Sequence, residues 1–103
     1  MTTRHKSSAM KFLEQLIGGQ LTLGRALGTI RQGDEQSLAA FARQLGISRA
    51  HLCDIEKGRK TVTPERAVRF ARALGYGEKQ FVRLSLQDQL VRAGLRYRVE
   101  ITA

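Results

Sequence analysis

The chain has 103 residues, with 18 Lys+Arg against 9 Asp+Glu and a formal net charge of +9. That length fits one domain, and the single cysteine, Cys53, excludes an intrachain disulfide and a multi-cysteine zinc site. So basic a balance points to a polyanion, nucleic acid ahead of an anionic membrane. No apolar run approaches the ~18–20 residues that span a bilayer. Arg4, His5 and Lys6 could mimic the charged start of a signal peptide, but Glu14 and Gln15 break the apolar stretch that such a peptide needs next. A lone thiol fits a reducing, cytoplasmic setting.

Residues 1–8 are polar and basic and read as an arm. From 9 to 94 the apolar residues recur at helical spacing. A first short helix is expected over Ala9–Ile17, with Phe12, Leu13, Leu16 and Ile17 on one face and Gly18-Gly19 at its end. Thr22 can cap a second helix that carries Leu23, Leu27 and Ile30 and stops near Gly33. Ser37 can cap a third, Leu38 to Leu45. Ser48 can cap a fourth, Arg49 to Lys57. Thr63-Pro64-Glu65 combines a cap, a proline at the first helical position and an acid at the positive helix end. The fifth helix starts there and stops at Gly75; a sixth runs from near Glu78 to Gly94. The tail, 95–103, changes period. Leu95, Tyr97, Val99 and Ile101 alternate with polar residues, which predicts a strand with one apolar face. A lone strand needs a partner, either the same strand of a second subunit or another protein.

The chemistry concentrates in Leu38–Lys57, LAAFARQLGISRAHLCDIEK. Phe41 and Leu45 mark the inner face of one short helix, Leu52 and Ile55 that of the next. Ile47 fills the corner and Ala42 permits close approach. Gly46 sits where the chain leaves a helix in a left-handed conformation, and Ser48 restarts it. These offsets describe a helix-turn-helix, in which the second helix enters the major groove of DNA. An αα-hairpin without a DNA role is the bland alternative.

On these residues the stretch Leu23–Gly75 resembles the Cro/repressor (XRE-type) helix-turn-helix family. Ile30-Arg31, Ser37, Phe41-Ala42, Leu45-Gly46-Ile47-Ser48, Ile55-Glu56-Lys57-Gly58-Arg59 and Leu74-Gly75 carry the likeness. The resemblance implies a mainly α fold of five to six helices, here with an extra N-terminal helix and the C-terminal β-strand. It also implies a homodimer on double-stranded DNA with a palindromic operator. Many relatives are repressors, and many are antitoxins that also bind a toxin protein. By position, Ser48, Arg49, Ala50 and Asp54 are expected to face base edges. Arginine suits guanine, alanine a thymine methyl, and aspartate cytosine N4. Ser37, Arg43, His51, Lys57, Arg59 and Lys60 are expected at phosphates. Arg31 and Glu56 resemble a structural ion pair of the family. Leu38 departs from it, standing where relatives often carry a polar residue. Asp54 is an acid facing a polyanion, a penalty unless it finds a donor or rejects wrong operators.

No nucleophile–base pair or phosphate-binding glycine loop stands out, so no enzyme, cofactor or metal is expected. The reading is a transcriptional repressor, with an antitoxin that autoregulates its operon as the first alternative. An interaction module without DNA binding is the second.

Overall fold

The computed structural model describes residues 21–102. The basic arm expected over 1–8 and the helix expected over Ala9–Ile17 lie outside those residues. Local chemistry sets where each described helix starts. The Thr22 hydroxyl accepts from Arg25 N at 3.0 Å and opens α1, Leu23–Gly33. Ser37 accepts from Ala40 N at 3.1 Å and opens α2, Leu38–Leu45. Ser48 accepts from His51 N at 3.0 Å and opens α3, Arg49–Glu56. Thr63 does the same for Arg66 N ahead of α4, Pro64–Leu74, with Pro64 where an amide would have no partner. Gly77 begins α5, Glu78–Arg92, without a side-chain cap. Gly46 ends α2 at φ +76°, a backbone region that glycine reaches at little cost.

The helices close around one apolar core. Phe41, Phe70 and Phe81 are fully buried, together with Leu23, Leu27, Leu52, Ile55 and Leu84. α4 packs along α5, α2 touches α3 and α4, and α1 bridges α3 and α5. The α1–α3 crossing depends on glycine. A Cβ at Gly24 would fall 2.1 Å from the Ile55 carbonyl oxygen. Between α3 and α4 the chain is tied to α5 by Ser85, whose buried hydroxyl donates to Val62 O at 2.6 Å. That bond satisfies a hydroxyl that would otherwise be costly to bury.

Two parts of the expected fold need correction. Five helices are present among the described residues, where up to six were expected. The C-terminal β-strand does not form: 95–102 carry no regular structure, and no β-structure occurs among the described residues. The physical reason is that no second strand among the described residues supplies a hydrogen-bond ladder. A side chain stands in for one. The Gln87 amide donates through Nε2 to Tyr97 O and accepts through Oε1 from Val99 N, both at 2.8 Å. The apolar stripe is also split. Leu95 and Tyr97 are 45% and 68% exposed, whereas Val99 and Ile101 are half-buried.

Candidate nucleic-acid interface

α2, the turn at Gly46 and α3 build the site. Leu52 and Ile55 bury the inner face of α3, which turns the start of the helix outward. Ser48, Arg49 and Ala50 are exposed there. The Arg49 guanidinium has no hydrogen bond or ion pair with another described residue. Ser37 uses its hydroxyl oxygen to cap α2, and Arg43 is exposed further along that helix. Leu38 is half-buried and packs on the core, which accounts for an apolar residue at this position.

Arg31 on α1 holds the far end of α3. Its Nε and Nη2 meet the two carboxylate oxygens of Glu56 at 2.9 and 3.1 Å, and Nη1 donates to Gln36 O at 3.0 Å. Both side chains are largely covered, at 17% and 13% exposure. A two-pronged arginine–carboxylate contact fixes orientation as well as distance. The hydrogen bond to Glu56 raises the Arg31 pKa above its ordinary value, against the opposing effect of burial. The pair therefore links α1, the approach to α2, and α3.

Beyond α3 the chain folds back on the helix. Gly58 takes φ +78°, and Arg59 N and Lys60 N donate to Asp54 O at 2.8 and 3.3 Å. The Asp54 carboxylate meets Arg59 Nη1 at 3.1 Å and Lys60 Nζ at 3.7 Å. From the other side, Arg92 Nη2 of α5 donates to Arg59 O at 2.9 Å. Lys57 is exposed at the end of α3. Among the expected site residues, then, Asp54, Arg59 and Lys60 form one cluster, and Arg31 and Glu56 another. Leu95, Tyr97, Val99 and Ile101 belong to the tail that Gln87 holds.

His51 lies against Arg66 of α4, whose Nη1 stands 3.3 Å from Nδ1 and 3.4 Å from Nε2. Burial lowers the His51 pKa, and the charges of Arg66 and Lys60 lower it further, so the ring is mostly neutral at pH 7. A neutral imidazole still has one donor for a phosphate. Arg66 is a residue that sequence reasoning misses. Its only signal is a place in the first turn after the Thr63 cap. Asp88 is missed as well. Its Oδ2 accepts from Leu23 N at 2.9 Å and so anchors the start of α1 from α5. Burial pushes its pKa up to about 6, with the Leu23 N–H pulling the other way. Asp88 lines a cavity of about 230 Å³ shared with Leu21, Ile55, Lys60 and Val91. No group of three metal-ligating side chains occurs among the described residues, and no described helix is long and apolar enough to cross a membrane.

This arrangement is that of a helix-turn-helix protein. The chain belongs to the helix-turn-helix domain family, whose pattern matches residues 22–84. A search of curated proteins gives no match. Among solved structures, the chain is similar to a protein from Nostoc punctiforme described as a candidate antidote protein of a plasmid maintenance system. The two share 26% sequence identity, with a TM-score of 0.64 over 71% of this chain and 80% of the other.

Proposed function

We propose that the chain is a sequence-specific double-stranded DNA-binding transcriptional regulator that works in the cytoplasm and without enzymatic activity. The observation that carries this reading is the start of α3, where Ser48, Arg49 and Ala50 stand exposed and Arg49 is unpaired among the described residues. Arg49 is a guanine reader by chemistry, and Ala50 suits a thymine methyl. Ser37 and Arg43 on α2, His51 on α3, and Lys57, Arg59 and Lys60 at and beyond its end serve the phosphates, which fix register without reading sequence. The protein binds as a homodimer, presenting two recognition helices about 34 Å apart to a palindromic operator. Selection of bound duplexes from a random pool tests this. Enrichment of one half-site repeated with two-fold symmetry is expected; a pool returned without enrichment contradicts it.

A second reading, within the same DNA chemistry, is an antitoxin that represses its own operon. The likeness to the Nostoc protein supports it. So does the exposure of Val91, Leu95 and Tyr97, the exposed large apolar side chains at the end of α5 and in the tail, which suit a protein contact. Co-expression with the product of the adjacent reading frame tests it. Rescue of a growth defect and co-purification of the two proteins are expected, and an adjacent product that is harmless and does not bind contradicts it.

A further inference from the structure

Asp54 was expected at a base edge, and the structure gives its carboxylate another occupation. It stands one helical turn beyond Ala50, so the two share the outer face of α3. An acid on a face that meets phosphates is unfavourable unless something neutralises it. Here two cations do. Arg59 Nη1 lies 3.1 Å from Oδ1, and Lys60 Nζ 3.7 Å from Oδ2. Asp54 is 29% exposed, while Arg59 and Lys60 are about twice as open, so their remaining donors face solvent. The backbone reinforces this grip. Arg59 N and Lys60 N both bond to the Asp54 carbonyl oxygen, and Arg92 holds Arg59 O from α5.

We propose that Asp54 is a positioning residue: it holds Arg59 and Lys60 beside the exposed face of α3, oriented to receive backbone phosphates. The inference rests on the DNA-binding reading above and changes the role of Asp54 within it. Arg59 gives one Nη to Asp54 and keeps its other N–H groups for a phosphate; Lys60 has three donors and also keeps some. The trio remains net positive, so it still attracts the duplex. Both cations have long, rotamer-rich side chains, whose ordering on binding weakens affinity by roughly two- to ten-fold each. Asp54 sets that order before DNA arrives. Base reading would have Asp54 accept from cytosine N4 with the carboxylate oxygens that already face Arg59 and Lys60.

The test compares Asp54→Asn in two backgrounds, by equilibrium binding to a selected duplex and to a random-sequence duplex. In the otherwise native protein, Asp54→Asn is expected to weaken binding to both duplexes by about three- to ten-fold, despite removing a negative charge. In the Arg59→Gln, Lys60→Gln background the sign should reverse. No side chain is left to position, and loss of the acid should tighten binding. A purely structural role would weaken both backgrounds alike and overturns the proposal. Tighter binding in the native background overturns it too. A loss confined to one base pair returns Asp54 to base reading. If the native protein binds neither duplex, the DNA-binding reading fails first and the proposal falls with it.

Discussion

Replacing Gly24 by alanine measures how closely α1 crosses α3. The added methyl would stand 2.1 Å from Ile55 O and 3.0 Å from its carbonyl carbon. Carbon–oxygen contacts settle at about 3.3–3.6 Å, so the helices must part by roughly 1 Å. The obstacle is backbone, set among the fully buried Leu23, Leu27 and Ile55, and no side-chain rotation relieves it. Overpacking a filled core costs ~1–3 kcal/mol. Alanine regains up to ~1 kcal/mol of helix propensity over glycine. A net loss of about 1–2 kcal/mol is expected, with room for more if Arg31 and Glu56 are pulled apart. The same helix supplies two controls. At Gly28 the nearest atom is Glu56 Oε1 at 3.4 Å, an ordinary van der Waals distance, so Gly28→Ala should stay within ~0.5 kcal/mol of the native protein. At Gly33 nothing lies within 4 Å, so Gly33→Ala should be neutral or a few tenths of a kcal/mol more stable. Urea unfolding of the three variants gives the ranking. A Gly24→Ala protein as stable as Gly33→Ala would refute the close crossing, and with it the way α3 is held.

The same geometry sets other outcomes. Arg31→Ala and Glu56→Ala should each cost about 1–3 kcal/mol, between the values for exposed and buried pairs; a double-mutant cycle with no coupling between them would show that the contact contributes nothing. Asp88 has a folded-state pKa raised to about 6, so its stabilising contribution is present in acid and fades as pH rises through about 6. Asp88→Asn keeps an acceptor for Leu23 N and should be more stable than the native protein at pH 7.5, by about 1–2 kcal/mol after allowance for its partial exposure. A less stable variant at that pH would mean that the hydrogen bond to the charged carboxylate outweighs burial. Arg49→Ala should cost ~1–3 kcal/mol on the selected site and relax preference at one base pair; an equal loss on all duplexes would make Arg49 a phosphate contact.

The helix boundaries are readable in the sequence because they rest on local chemistry. Thr22, Ser37, Ser48 and Thr63 each accept the amide bond that their positions suggest, and Gly46 and Gly75 take the left-handed turn. The tail misleads because alternation reports an extended chain, whether or not a strand pairs with it. The deciding partner, Gln87, is a polar residue on a helix and carries no strand signal. The arrangement of the candidate site is legible at the start of α3, where exposure comes from helical period. It is not legible past Gly58. There the chain reverses in a left-handed turn, and Asp54 meets residues five and six positions on, a spacing that helical periodicity does not offer. The Arg66–His51 and Asp88–Leu23 contacts join elements distant in sequence, and only the packing of α4 and α5 brings them together.

Salt-dependent binding to duplex DNA is the most direct test of DNA recognition by α3. Equilibrium titration with the selected duplex over a range of ionic strength reads the number of phosphates engaged. About six contacts per dimer predict a log–log slope of about −5, with tighter binding than to a random duplex at every salt concentration. A slope near zero, or equal affinity for both duplexes, would contradict the claim that α3 and its basic flank read DNA.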